Sequence, residues 1–113
     1  MPNNDGYKSR PVLIVGTDAN NNLYYTDIHY VIISSSASIG VYDVLINDDQ
    51  AKEMNLTRAS VIKTTKIYTG PSNLFERKVC DLPDNIKDEF LKKFESYQED
   101  TINKLKESLY ITN

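Results

Sequence analysis

The stretch SRPVLIVGTD, residues 9–18, sets an arginine against a proline and follows both with an apolar run. A guanidinium at the mouth of a core strand is either an ordinary surface charge or a placed reagent, since it presents its donors in a fixed plane. Little else competes with it for chemistry. One histidine, His29, and one cysteine, Cys80, exclude zinc-ligand spacings, a helix-borne HExxH and a pair of histidines sharing acid and base work. The four glycines form no phosphate-cradling pattern, so neither a P-loop nor a dinucleotide fingerprint is present and no nucleotide cofactor is expected.

Whatever Arg10 does, a small scaffold must hold it. The 113 residues suit a single domain, 1–113, with one modest core, and 40% apolar with 26% charged residues is the balance of a globular chain. The longest apolar runs, VLIV and YVII, are too short to cross a bilayer. The leader MPNNDGYKS lacks the basic start and apolar stretch of a secretory signal, which predicts a cytoplasmic protein with no membrane partner. A lone cysteine agrees with a reducing compartment, and Cys80 itself reads as a small core residue. Net charge is −3 and the isoelectric point is near 5.1. A polyanion would therefore have to be met by a local cluster, because no broad basic field exists.

After the polar leader, 1–9, the barrel strands fall within 10–82. Residues 11–17 (PVLIVGT) and 23–34 (LYYTDIHYVIIS) read as strands joined across DANNN, an antiparallel hairpin by its turn chemistry. YDVLI at 42–46, SVIKTTKIYT at 60–69 and FERKVCDL at 75–82 supply three more, with one helical turn expected inside NDDQAKEMNL and a turn at GPSN. From Asp84, a natural N-cap after Pro83, the period changes. Ile86, Phe90, Phe94, Tyr97, Ile102, Leu105 and Leu109 paint one stripe on a helix predicted over 84–109. At ~1.5 Å per residue such a helix outruns a small barrel, so its last turns either contact a second chain or fray. The fold class is mainly β, of the α+β type: a small, partly open, curled sheet of about five antiparallel strands plus a long C-terminal helix.

Four segments carry a resemblance that pattern alone does not supply. RPVLIV at 10–15, YVIIS at 30–34, SVIKTTKIYT at 60–69 and LFERKVCDLPDNIKDEFLKKF at 74–94 follow the order and spacing of the MazF/PemK toxin family, over roughly residues 7–95. The resemblance implies a Src-homology-3-like barrel, a homodimer, and a metal-independent, cofactor-free endoribonuclease. Its partners would be single-stranded RNA and a cognate antitoxin. The family's cleavage pair, an arginine before Pro-Val and a hydroxyl closing the next strand, corresponds here to Arg10 and Ser34, with Ser35 one residue away as the alternative hydroxyl. Tyr7, Lys8 and Ser35 are the neighbours expected to contact RNA.

Those residue types suit metal-free cleavage, in which the ribose 2′-hydroxyl attacks the phosphorus and negative charge builds on the phosphoryl oxygens. A guanidinium stabilises that charge, and a hydroxyl donates a further bond or orients the nucleophile. Without the family, Arg10 reads as a strand-entry charge and Ser34 as a loop residue. Strand alternation sends His29 away from the face of Ser34, which argues against it as a base. Lys63 and Lys66 read as a solvated edge before they read as phosphate contacts, and most of the tyrosines as packing before base stacking.

The family's opening strand has no counterpart in MPNNDGYKS, which predicts a barrel short of one edge, and residues 95–113 outrun the usual helix. These departures give a second reading: a shortened, catalytically silent relative acting as a protein-binding or inhibitory module. A gyrase-poisoning branch of the fold acts through C-terminal residues with no match here.

Overall fold

The computed structural model describes residues 10–18, 26–75 and 77–113. Its elements are β1 (Val12–Asp18), β2 (Asp27–Ser34), β3 (Val44–Ile46), α1 (Asp48–Glu53), β4 (Ser60–Pro71) and α2 (Asp84–Glu107). The strands form one antiparallel sheet in the order β1-β2-β4-β3, curled into half a barrel. Val and Ile dominate the strands because branched side chains pack well on a pleated surface.

Among the described residues there are four strands, where the sequence predicts about five. The difference lies in FERKVCDL, which joins no ladder at its described residues. Arg77, Lys78, Val79, Cys80 and Asp81 are all exposed there, and Lys78 pairs locally with Asp81 at 2.6 Å. Consecutive charges break the apolar alternation a strand needs, so the segment serves as a link into α2. Cys80 is exposed rather than in the core, its thiol directed at the Met54 carbonyl oxygen at 3.4 Å. Of the DANNN turn and the start of the second strand, residues 19–25 lie outside the described residues.

The core gathers along one face of the sheet. Val31 and Ile33 of β2, Val44 and Ile46 of β3, and Ile62 of β4 pack with Ala51 and Met54 at α1 and with Ile86 and Phe90 of α2. Leu13 and Val15 bring β1 in as a half-buried flank. Helix α1 is defined by its ends. Asn47 and Gln50 exchange side-chain and backbone bonds in a capping box at 2.8 and 2.9 Å. At the other end Asn55 takes φ 59°, so that Leu56 N–H reaches Ala51 O at 2.8 Å in a Schellman closure.

Helix α2 starts at Pro83, not at an Asp84 cap: Pro83 occupies the N-cap without a side-chain bond, and Asp84 lies in the first turn, where the helix dipole favours an acid. Only the first part of its apolar stripe reaches the sheet. Ile86 and Phe90 are buried, Phe94 and Tyr97 half-buried, and Ile102, Leu105 and Leu109 exposed. The helix ends at Glu107, two residues before the predicted Leu109. Among the described residues, no helix is long and apolar enough to cross a membrane.

Candidate functional site

Strand β4 is longer than the partners it must serve, and it bends to serve both. Val31 of β2 faces Ile67, but Ile33 faces Ile62, so Lys63, Thr64, Thr65 and Lys66 stand opposite Ile32 alone. Surplus residues on one strand of a pair force a local kink. The kink opens a cleft of about 390 Å³ lined by Ile32, Ser34, Ala37, Lys63, Thr65, Lys66 and Tyr68. Sheet alternation explains the division of β2: Val31 and Ile33 enter the core while Ile32 and Ser34 line the cleft.

Arg10 lies at the same end of the sheet as Ser34. Val12 pairs with Ile32, and Ile33 N–H donates to Pro11 O at 3.3 Å. Two residues before Val12 is Arg10 and two after Ile32 is Ser34, so the two occupy matching positions where the β1–β2 ladder ends. Arg10 is exposed and precedes the strand itself.

Ser34 is half-buried, and its Oγ accepts N–H bonds from Ser36 at 3.3 Å and Ala37 at 3.1 Å. That turn anchors the hydroxyl oxygen while its hydrogen has no acceptor among the described residues, which leaves it able to donate. Ser35 is exposed at the bend and does not line the cleft. Tyr7 and Lys8 lie outside the described residues. His29 sits further along β2 with its Nδ1 2.9 Å from Thr69 Oγ1, apart from the cleft.

The two cleft lysines differ in what holds them. Lys63 Nζ is 2.5 Å from Asp43 Oδ2 and 3.1 Å from Ser38 O. Asp43 is 4% exposed and also accepts Gly40 N–H at 2.7 Å and Thr64 N–H at 3.2 Å. Burial pushes the Asp43 carboxyl up, but the Lys63 hydrogen bond and charge and the Gly40 and Thr64 N–H groups outweigh it and hold the carboxyl below its ordinary range. Lys66 is exposed and makes no ion pair among the described residues. Tyr68 stacks on its cross-strand partner Tyr30, centroids 5.6 Å apart at 24°, and Tyr30 meets Phe75 edge-on at 5.2 Å.

Helix α2 braces this arrangement from behind. Lys93 Nζ donates to Val41 O at 3.0 Å, Tyr42 donates its phenol hydrogen to Asp100, and Tyr42 meets Tyr97 edge-on at 5.3 Å. The Asp100 hydrogen bond raises the Tyr42 phenol above its usual pKa, helped by partial desolvation and the Asp100 charge. A second hollow of about 400 Å³ lies between this loop and α2 and shares Lys63 and Thr65 with the cleft.

The sequence undervalues Lys66 and Tyr68. Their i, i+2 spacing on a strand marks one shared face, but only the kink in β4 brings that face beside Ser34. Asp43 is missed altogether, since nothing in YDVLI distinguishes a buried aspartate from a turn residue.

A family model described as PemK-like, MazF-like toxin of type II toxin-antitoxin system matches residues 2–109, which takes in every described strand and helix. The chain belongs to this family. Among curated proteins, none matches the chain by sequence. Membership in the PemK/MazF-like toxins implies an antitoxin as partner. Among the described residues of this toxin-family chain, no group of three or more His, Cys, Asp or Glu side chains could hold a metal ion.

Proposed function

We propose that this PemK/MazF-like chain is a metal-independent endoribonuclease that cuts single-stranded RNA, with Arg10 and Ser34 as its cleavage pair. The observation that carries the reading is their matched placement at the end of the β1–β2 ladder, beside a cleft that also holds Lys66 and Tyr68.

The substrate supplies its own nucleophile. As the ribose 2′-oxygen forms its bond to phosphorus, the bond from phosphorus to the 5′-oxygen breaks. The 2′-proton passes to solvent and the 5′-oxygen takes one from it, leaving a 2′,3′-cyclic phosphate and a free 5′-hydroxyl. Arg10 stabilises the charge that grows on the phosphoryl oxygens, a role suited to a permanent cation with planar donors. Proton donation is a poor task for a guanidinium, whose fixed fork of donors serves instead to hold phosphate oxygens. Ser34, its oxygen fixed by Ser36 and Ala37 N–H, donates its hydrogen to the same phosphate or orients the 2′-hydroxyl.

The working form is a homodimer acting in the cytoplasm, its cleft blocked by the antitoxin when growth is to continue. The chemistry is tested by the product ends. Cleaved RNA should carry 2′,3′-cyclic phosphates, and DNA of the same sequence, which lacks the nucleophile, should stay intact. Cut DNA, or RNA ends bearing 5′-phosphates, would overturn this route.

A further inference from the structure

Most of what surrounds Ser34 is already committed to holding the fold. Lys63 is tied to Asp43 and the Ser38 carbonyl, and Thr64 is buried with its N–H on Asp43. Lys66 and Tyr68 are the cleft-lining side chains that stay exposed, and they alternate along β4 onto one face.

Tyr68 is built as a platform. Its ring lies against Tyr30 in a stacked arrangement, and Tyr30 is fixed in turn by the edge-on contact with Phe75, yet Tyr68 keeps 39% of its surface exposed. Packing three rings in series fixes the orientation of the outermost one before anything binds, so little conformational freedom is lost on binding. An aromatic face beside an unpaired cation is the combination that takes an unpaired nucleobase and its phosphate: the ring stacks and the ammonium neutralises. The volume, about 390 Å³, is in the range of small-molecule clefts.

We infer that Tyr68 and Lys66 form a nucleotide subsite next to the cleavage pair: a base flanking the scissile phosphate stacks on Tyr68, and Lys66 holds a neighbouring phosphate. The inference rests on the ribonuclease reading for its position relative to the cut. Stacking accepts any base, so the subsite contributes affinity and register along the strand, while edge contacts elsewhere select the sequence.

The test uses the full chain and a short single-stranded RNA made uncleavable by a 2′-deoxynucleotide at the cut position, with binding read by fluorescence anisotropy. Tyr68→Ala should weaken binding about ten-fold or more, and Tyr68→Phe, which keeps the ring, should stay within about two-fold of the native chain. Lys66→Gln, an exposed substitution that leaves the core alone, should lower the slope of log affinity against log salt by about 0.7, the value for one phosphate contact on a single strand. With cleavable RNA both variants should raise KM and leave kcat nearly unchanged. Native-like binding by Tyr68→Ala, or equal losses in Tyr68→Phe and Tyr68→Ala, would overturn the stacking role; an unchanged salt slope in Lys66→Gln would overturn the phosphate contact. Cleavage that depends on Arg10 but not on Tyr68 or Lys66 would reject the subsite and keep the ribonuclease. Tyr68-dependent binding without any cleavage would do the reverse, and a native chain that neither binds nor cuts RNA would reject both.

Discussion

Lys63 Nζ lies 2.5 Å from Asp43 Oδ2, and this contact joins the loop after Ser34 to the kink in β4. The aspartate is buried and takes two backbone N–H bonds as well, so one side chain ties Gly40 of the loop to Lys63 and Thr64 of β4. Several consequences can be measured without knowing the substrate.

Removing Asp43 leaves the Gly40 and Thr64 N–H groups and the Lys63 ammonium without their shared acceptor. Asp43→Ala should cost about 1–3 kcal/mol, the usual penalty for orphaning buried hydrogen-bonding groups, read as a lower urea midpoint at unchanged slope. Lys63→Met, which keeps the aliphatic stem but strands the carboxylate, should also destabilise.

The same carboxylate predicts a pH dependence. Its folded pKa is held below the unfolded value of 3.8, so the unfolded chain binds the proton more readily. The stabilisation is fully present above the unfolded value and is lost as pH falls through the folded one. Urea unfolding followed from about pH 6 down to about pH 2 should show a steeper acid loss in the native chain than in Asp43→Ala.

Tyr42 has the opposite sign. Its folded pKa is raised above 10.0 because its hydrogen is given to Asp100. The contact is therefore intact below the unfolded value and is lost as pH rises through the folded one. A spectrophotometric titration should show one fewer late-ionising tyrosine in Tyr42→Phe, with faster amide exchange at Gly40 and Asp43 as the loop loosens from α2.

Along α2 the apolar stripe is continuous in sequence but not in burial. Ile86 is 2% exposed and Leu109 77%. Ile86→Ala should cost about 2–5 kcal/mol by cavity formation, whereas Leu109→Ala should stay within about 0.5 kcal/mol. Chemical denaturation of the two variants checks the contrast.

That contrast also shows where sequence reading stops. Period-2 and period-3.6 patterns locate β1, β2, β4 and α2 because each must put a hydrophobic face somewhere, and alternation on β2 correctly separates His29 from Ser34. Periodicity does not say how far a partner surface extends; it is the helix's length, greater than a small barrel can cover, that points to the exposed end of α2. FERKVCDL reads as a strand by residue type, but its consecutive charges break the alternation and its described residues join no ladder. The matched positions of Arg10 and Ser34 follow from the hairpin register, whereas the cleft follows from a kink in β4 that arises from unequal strand lengths and leaves no local signature. Lys66 and Tyr68 gained meaning only through that kink.

Ser34 anchors a turn through its oxygen and, in the proposed ribonuclease, serves cleavage through its hydrogen. Ser34→Ala removes both the turn acceptor and the donated hydrogen, and should lower RNA cleavage on the order of a hundred-fold or more. Ser34→Thr keeps the hydroxyl and should retain most of the rate. Single-turnover kinetics on one defined RNA distinguish the two.

The most direct measurement is cleavage of an unstructured RNA by the purified chain in excess chelator, beside Arg10→Ala with its fold checked by circular dichroism. The native chain should cut, and Arg10→Ala should lose about a hundred-fold or more in rate. Undiminished cleavage by Arg10→Ala, or none by the native chain across varied sequences, would contradict the assignment of Arg10 as the phosphate-stabilising cation.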